Sequence, residues 1–344
     1  MTAILTHLQS NWQRLNLERY GDPSRLSYFL LTPRFRASSH VLFLVSSNDR
    51  STPTLVVKVP RLAGESPSLQ KETANLRAVQ STRPQGFASI PRVVAFEPVL
   101  GRQILVETAL VGKAMNPTTV RHDPDSCCRV VMDWLIDLQA ATRHSAQEES
   151  DWFSRLLDQP FRAFTALFPY SADEARLLER TWDLVSPLRE VDMPLMIEHG
   201  DLSSPNIMLL ERGGPGVVDW ELADPRGLPA CDLFFFMTYV AFARENARSN
   251  SQHLSAFKKA FFGHAAWASS SIRMYAQELD LAPVWLTPLF VLCWLRYMTG
   301  LLIRLDNAKP SSERIDTETA AWLRRNRYYS LWRYAVSHVD DINF

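Results

Sequence analysis

Residues 197–210 read Ile-Glu-His-Gly-Asp-Leu-Ser-Ser-Pro-Asn-Ile-Met-Leu-Leu, and residues 217–221, after a turn rich in Gly and Pro, read Val-Val-Asp-Trp-Glu. Two short apolar runs joined by such a turn predict a β-hairpin. Because a hairpin returns its far end beside its near end, we expect Asp219 to lie next to Asn206. Asp201, Asn206 and Asp219 carry hard oxygen atoms, the ligand type that Mg²⁺ prefers. The stretch therefore predicts a magnesium-dependent site. The simpler alternative is a polar loop followed by an ordinary surface turn.

The spacing of these residues resembles the catalytic core of kinases, which reads H-R-D-x-x-x-x-N and is followed by D-F-G. Here His-Gly-Asp stands at 199–201, Asn206 follows at the matching offset, and Asp-Trp-Glu stands at 219–221. Gly in place of Arg, and Trp-Glu in place of Phe-Gly, make the stretch similar to the aminoglycoside phosphotransferase and choline kinase family. The resemblance implies that Asp201 orients the acceptor hydroxyl and accepts its proton. It also implies that Asn206 and Asp219 hold the Mg²⁺ ions that bridge the ATP phosphates.

A single lysine, Lys58, interrupts an otherwise apolar strand predicted at residues 55–60. Because a buried amine is costly without a partner, Lys58 requires a carboxylate nearby. Ser-Pro at 66–67 marks the start of a helix that runs to about Gln80, with Glu72 on its apolar face. We therefore predict a Lys58–Glu72 ion pair; the alternative is a solvent-facing lysine on an edge strand. By resemblance, Lys58 is the strand lysine of kinases that holds the α- and β-phosphates.

Four further strands are predicted before residue 108, and they are placed at residues 28–32, 41–45, 90–96 and 103–107. Together with the family resemblance, they predict an α+β, bilobal, protein-kinase-like fold. The small antiparallel sheet lobe, with one helix and a leading amphipathic helix, would span residues 1–108 and bind the nucleotide. The larger, mainly helical lobe would span residues 109–344 and contain the catalytic loop and the acceptor site.

Two segments of the small lobe are candidates to contact the nucleotide. The turn between the first two strands has no glycine, but Ser38 and Ser39 offer hydroxyl and N–H groups to the phosphates. A basic surface hairpin is the alternative for this turn. Backbone groups of Glu107 and Ala109, in the expected hinge, are candidates to bind the adenine edge.

The carboxy-terminal part gives weaker signals about the acceptor. Asp232 precedes an apolar run and is a natural helix N-cap, and in the family the corresponding Asp braces the catalytic loop. Only residues 220–231 separate Asp219 from Asp232, too few for the activation segment of a protein kinase, so we expect a small acceptor. Candidates to line its pocket, each equally compatible with a core or surface role, are Asp224, Glu245, Trp285, Arg296, Tyr297 and Arg304.

Composition limits the possible partners and compartment. Lys plus Arg and Asp plus Glu both number 37 in 344 residues, so no bulk charge recruits nucleic acid or an anionic membrane. The four cysteines lack zinc or redox spacing and predict buried thiols in a cytoplasmic protein. Residues 1–20 show no signal-peptide pattern. The most apolar stretch, 281–303, is interrupted by Pro, Arg and Gly and predicts a core helix rather than a membrane span.

These observations predict an enzyme, a kinase that uses ATP and Mg²⁺ to move the γ-phosphoryl group to a hydroxyl of a small molecule. The acceptor would be a sugar, an aminoglycoside-like compound or an amino-alcohol. The sequence does not decide whether the phosphoryl donor is ATP or GTP. The protein is expected to act as a monomer or homodimer. The alternative is a catalytically inactive pseudokinase that binds nucleotide and serves as a scaffold, a reading favoured by the glycine-free phosphate loop. A protein kinase ranks third.

Overall fold

The computed structural model describes residues 3–32, 40–47, 52–64, 66–145, 147, 149–306 and 315–344. The chain divides into two compact units. The amino-terminal unit comprises Met1–Ala114 and Asn206–Ala223, and the carboxy-terminal unit comprises Met115–Pro205 and Asp224–Phe344. The hairpin predicted after Asn206 thus belongs to the same unit as the amino-terminal strands. The lobe boundary at residue 108 stays a prediction.

The amino-terminal unit is built on a five-stranded antiparallel sheet with strand order β1-β2-β3-β5-β4. Its strands are β1 (Leu26–Leu31), β2 (His40–Ser47), β3 (Leu55–Pro60), β4 (Val93–Val99) and β5 (Arg102–Thr108). The leading helix α1 spans Ala3–Ser10, and α2 spans Pro67–Ser81. Five strands and one helix after the leading helix were expected, and the structure has them.

The two faces of this sheet differ because successive side chains of a strand point to opposite sides. One face carries Val57 and Val106, which belong to an apolar core together with Leu5, Leu8 and Trp12 of the leading segment. The other face carries Lys58 and is covered by α2. The amphipathic start of the chain therefore closes one side of the sheet and leaves the opposite side for polar chemistry.

A second, three-stranded sheet completes the amino-terminal unit. It consists of β6 (Gly112–Ala114), β8 (Ile207–Leu210) and β9 (Pro215–Val217) in the order β6-β8-β9. Ile207 pairs with Val217 across the predicted hairpin. Gly213 and Gly214 have φ values of +87° and +78°, the left-handed region in which glycine is favoured, so they can form the connecting turn.

The carboxy-terminal unit is mainly helical, with a short antiparallel ladder of β7 (Met196–Glu198) and β10 (Asp224–Gly227). Its first helices are α3 (Pro117–His122), α4 (Pro124–Ala141), α5 (Gln159–Leu167) and α6 (Ala172–Val185). They are followed by α7 (Cys231–Arg244), α8 (Asn250–Phe261), α9 (Ser269–Glu278), α10 (Leu286–Asp306), α11 (Thr317–Arg325) and α12 (Arg327–Ser337). Ser171 and Glu174 form a capping box at the start of α6.

The apolar helix α10 lies at the centre of this unit and packs against α5, α7 and α12. Pro288 is tolerated because it lies in the first turn, where backbone N–H groups have no partner within the helix. Among the described residues, one segment, Pro283–Leu305, is long and apolar enough to cross a membrane, with a mean hydropathy of 1.6. Because 67% of this apolar window is buried inside the protein, the segment fits the predicted core helix.

Candidate active site

Lys58 lies in the middle of β3 and is 4% exposed. Its Nζ atom is 2.5 Å from Oε1 of Glu72, which α2 presents from its fully buried face. The same Glu72 oxygen accepts a hydrogen bond of 3.0 Å from the backbone N–H of Trp220. The predicted ion pair is therefore present, and Glu72 also links α2 to the segment that follows β9.

Glu107 is a second carboxylate partner of Lys58, a role for its side chain that the sequence reasoning missed. Lys58 pairs with Leu105 across the ladder of β3 and β5, so Glu107, two residues further, projects from the same face. One Glu107 carboxylate oxygen lies 3.6 Å from Lys58 Nζ, and the side chain is 3% exposed. The acidic residue is visible in the sequence, but pairing it with Lys58 requires the register between β3 and β5.

Burial and mutual interaction shift the ionisation of these groups. Burial alone would lower the pKa of Lys58, but the carboxylates of Glu107, Glu72 and Asp219 outweigh it and raise that pKa. Burial raises the pKa of Glu107 to about 7, against the opposing effect of Lys58 and with the help of the other two carboxylates. Among the described residues, Lys58 interacts here with three acidic side chains, an arrangement that favours a further positive charge.

His40, at the start of β2, was also missed. Leu42 pairs with Lys58, so His40 lies on the Lys58 face by alternation. Burial and the neighbouring Lys58 lower the pKa of His40 to about 4. The imidazole is therefore neutral at physiological pH and adds no charge to the site.

The hairpin brings Asp219 back beside Asn206, as predicted. The backbone N–H of Val218 donates to the carbonyl of Asn206 at 3.0 Å, which places the two positions at the same end of the ladder. Asp219 has a φ of +69°, a left-handed conformation that is uncommon for a non-glycine residue. The side chain of Asn75 on α2 holds the next residues by donating to the carbonyls of Trp220 and Ala223, at 3.0 and 2.9 Å. Asp219 is thereby fixed relative to Glu72 and Lys58.

The residues around Asp219 fit a bound Mg²⁺. The Oδ1 atom of Asp219 is buried and has no hydrogen-bond partner among the described residues, which is costly unless a ligand satisfies it. Asn206, which is also buried, lies at the neighbouring position of the hairpin. No group of three or more His, Cys, Asp or Glu side chains in the described part of the chain is arranged to hold a metal. Mg²⁺ suits a two-residue set because it commonly takes one or two protein ligands and completes its shell with phosphate and water oxygens.

The remaining predictions about nucleotide binding, at Ser38, Ser39, Glu107 and Ala109, stay predictions. Ser38 and Ser39 lie outside the described residues. The backbone N–H of Ala109 donates to the carbonyl of Thr54 at 3.0 Å. An adenine contact through that N–H would have to replace this hydrogen bond, so the predicted purine contact at Ala109 stays a prediction.

Asp201 lies in the carboxy-terminal unit, in a loop braced by Asp232. The two carboxylate oxygens of Asp232 accept the backbone N–H groups of His199 and Gly200, at 2.6 and 2.9 Å. The N–H of Asp201 donates to Nδ1 of His199 at 3.3 Å, which gives His199 a structural role in this loop. Two charge-assisted hydrogen bonds thus fix the backbone immediately before Asp201.

The predicted N-cap role of Asp232 is wrong. Helix α7 begins one residue earlier, at Cys231, and its N-cap is Ala230 in a left-handed conformation with a φ of +64°. The Asp232 carboxylate is therefore directed to the backbone of His199 and Gly200 rather than to its own helix. Burial and the nearby Glu198 raise the pKa of Asp232 to about 7, although the two backbone hydrogen bonds favour the charged form.

Three of the six acceptor candidates are engaged in ion pairs within the carboxy-terminal unit. Arg296 Nη1 lies 3.0 and 2.8 Å from the two carboxylate oxygens of Glu198, the residue before His199. The other two pairs are Asp224 with Arg155 and Glu245 with Lys259. Arg296 therefore holds Glu198 at the start of the loop that contains Asp201, a role that sequence reasoning did not assign.

The chain belongs to the phosphotransferase enzyme family, because the model of that family matches residues 34–269. Among solved structures it is similar to choline kinase LicA from Streptococcus pneumoniae, with 11% identity, a TM-score of 0.52, and coverage of 95% of this chain and 100% of that one. It is also similar to the aminoglycoside phosphotransferase APH(4)-Ia, solved as a ternary complex with AMP-PNP and hygromycin B. That likeness has 14% identity, a TM-score of 0.50, and coverage of 94% and 98%. No curated protein matches the chain by sequence.

At these identities the two likenesses are of fold, and they confirm the predicted α+β, protein-kinase-like class. The family match supports the predicted reaction class, a small-molecule phosphotransferase.

Proposed function

We propose that this protein is a kinase that transfers the γ-phosphoryl group of ATP to a hydroxyl of a small molecule, with Mg²⁺ bound at Asn206 and Asp219. The observation that carries the proposal is the Lys58 face. A buried lysine is held by Glu72, and Asp219 nearby has a buried carboxylate oxygen without a partner among the described residues. Lys58 suits the phosphates of a nucleotide, because it is a fixed positive charge. When bound, Mg²⁺ would neutralise charge on the transferring phosphoryl group.

On the acceptor side, Asp201 would accept a hydrogen bond from the attacking hydroxyl and take its proton. The hydroxyl oxygen forms a bond to the γ-phosphorus, the bond from that phosphorus to the β-γ bridging oxygen breaks, and ADP leaves. Positioning supplies most of the catalysis in such transfers. The brace from Asp232 to the backbone of His199 and Gly200 serves this purpose, since it fixes the segment that carries Asp201.

The acceptor is proposed to be small, such as a sugar, an aminoglycoside-like compound or an amino-alcohol. The short interval between Asp219 and Asp232 supports this, because it contains only β10 as regular structure before α7. We also keep as proposals a cytoplasmic location, no nucleic-acid or membrane partner, and a monomer or homodimer. The inactive scaffold is the second candidate, and binding of nucleotide without any transfer distinguishes it.

Calorimetric titration with ATP tests the donor side. The wild type should bind ATP at least about tenfold more tightly with Mg²⁺ than without it, and Asp219→Asn should lose that difference. Asp125→Asn, which changes an exposed aspartate, is the matched control. Equal ATP affinity with and without Mg²⁺ would refute the metal assignment. ADP release measured across a panel of hydroxyl compounds then separates a kinase from a scaffold.

A further inference from the structure

An aromatic cluster lies at the convergence of three helices of the carboxy-terminal unit. Its members are Phe235 on α7, Tyr297 on α10 and Tyr328 on α12. The ring centroids are 4.8 Å apart for Phe235 and Tyr297, 5.5 Å for Phe235 and Tyr328, and 4.4 Å for the two tyrosines. None of the three has a role in the reaction described so far.

The carboxylate of Asp201 acts electrostatically on two rings of this cluster, Tyr297 and Tyr328. Burial, the neighbouring Tyr328 and the carboxylate of Asp201 raise the pKa of Tyr297. Burial and Asp201 likewise raise the pKa of Tyr328, with Arg327 opposing them. Both phenol groups therefore lie within the electrostatic range of the proposed catalytic carboxylate, on elements of the same unit.

The cluster is poorly suited to bind a cation through its ring faces. A cation–π site needs an aromatic face open to the ligand. The ring of Tyr328 already contacts the guanidinium of Arg327, which lies 5.0 Å from its centroid. It is also nearly parallel to the rings of Phe235 and Trp294, at interplanar angles of 17° and 14°. Its faces are thus used by the protein.

Two hydrogen-bond donors near the cluster have no acceptor in the part of the chain that the structure describes. Arg304 lies two helical turns beyond Tyr297 on α10, so the two share a helix face. Its Nε atom is buried and has no hydrogen-bond partner among the described residues, and the same holds for the indole Nε1 of Trp294. Positive charge from Arg304 and Arg327 acts on Tyr297. Guanidinium groups bind carboxylate and phosphate groups well, because their N–H geometry matches two oxygens.

We infer that the acceptor is a hydroxyl compound that carries a carboxylate or phosphate group, which Arg304 and Arg327 bind beside Tyr297 and Tyr328 while Asp201 takes the hydroxyl proton. This inference rests on the proposed function and narrows it to an anionic acceptor, such as a sugar acid or a phosphorylated sugar. It excludes polycationic acceptors, for which an acidic surface would be needed. Arg304 and Arg327 are specificity-determining residues in this arrangement.

Two matched sets of probes test the charge preference. The first is glucuronate, glucose and glucosamine, and the second is glycerate, glycerol and 3-aminopropane-1,2-diol. Each probe is titrated into the full-length protein saturated with Mg²⁺ and a non-hydrolysable ATP analogue, and binding is measured by calorimetry. The anionic member of at least one set should bind about tenfold or more tightly than its neutral and cationic counterparts. Glycerol phosphate, titrated in parallel, distinguishes a phosphate from a carboxylate preference.

Variants tie the preference to the two arginines. Arg304→Gln and Arg327→Gln should each remove most of the anionic preference and leave the affinity for the ATP analogue unchanged. Arg304→Lys, which keeps the charge, should retain part of it. Arg327 is exposed, so its variant should remain folded even if Arg304→Gln does not, and Arg325→Gln, at another exposed arginine, is the control.

Three results would overturn the inference: tighter binding of the cationic probes, no measurable binding of any anionic probe, or an anionic preference that survives both glutamine variants. The proposed function fails separately, because its failure appears as loss of Mg²⁺-dependent ATP binding in the wild type. Intact ATP binding combined with a cationic preference would therefore contradict the acceptor class alone.

Discussion

Replacing Glu107 by Gln should make the stability of the protein less dependent on pH. The folded protein raises the pKa of Glu107 from an ordinary value of 4.5 to about 7, because burial and the carboxylates of Glu72 and Asp219 outweigh the lowering effect of Lys58. Between these two values the folded state binds more protons than the unfolded state. Stability therefore decreases as pH rises from about 4.5 to about 7.

The magnitude follows from the two pKa values. Each pKa unit corresponds to 1.36 kcal/mol, so a rise of about 2.5 units costs roughly 3 kcal/mol of unfolding free energy by neutral pH. Gln has the shape of the protonated acid and cannot ionise, so Glu107→Gln should avoid this cost. The variant should be more stable than the wild type at about pH 7.5, and the difference should shrink towards about pH 5.

Urea unfolding followed by circular dichroism at several pH values measures this difference. Glu18→Gln, which changes an exposed carboxylate in the same unit, is the control and should leave the pH dependence of the wild type unchanged. If the unfolding free energies of the wild type and of Glu107→Gln changed in parallel over this pH range, the raised pKa of the buried Glu107 would be refuted.

Further variants test other parts of the structure. Lys58→Met should weaken ATP binding at least about tenfold in calorimetry, whereas an unchanged affinity would remove Lys58 from the donor site. Arg296→Leu leaves the buried Glu198 carboxylate without its cation and with only the backbone N–H of Leu228 as a hydrogen-bond donor, so urea unfolding should show a loss of roughly 3–5 kcal/mol. A loss below about 1 kcal/mol would mean that the pair is solvated. Asp232→Asn leaves one of two backbone N–H groups without a good acceptor. It should cost about 1–3 kcal/mol and slow transfer without changing ATP affinity, and unaltered transfer would argue against the brace. Burial raises the pKa of Glu174, but hydrogen bonds from Arg324 and Tyr329 lower it to about 2. Stability should therefore fall as pH decreases from about 4.5 to about 2, and Glu174→Gln should flatten that part of the profile.

Local signals made much of the amino-terminal unit predictable. Strands, the helix start at Ser66 and the hairpin after Asn206 are encoded in short stretches by periodicity and turn residues. The Lys58–Glu72 pair was predictable because a lone charge on an apolar strand and a lone acid on an apolar helix face each require a partner. The motif around Asp201 indicated the family, which the family match confirmed.

Features that depend on distant packing were missed. The second partner of Lys58 required the register between β3 and β5, which the sequence does not display. Arg296 and Glu198 are 98 residues apart in sequence, so no local pattern links them. The N-cap prediction for Asp232 failed because the left-handed Ala230 starts α7 earlier, and its carboxylate serves another loop. The proposed acceptor residues were only partly predictable: Tyr297 and Arg304 on α10 were among the candidates, whereas Arg327 and Tyr328 on α12 were not.

The central claim is that Asp201 accepts the proton of a hydroxyl that attacks ATP. Phosphorus NMR of a reaction containing Mg²⁺, ATP and the anionic hydroxyl probe that binds best tests it directly, with the wild type and Asp201→Asn compared at equal ATP occupancy. We expect a phosphomonoester signal that grows at least about a hundredfold more slowly in the variant. Growth at the same rate in both proteins would contradict the account.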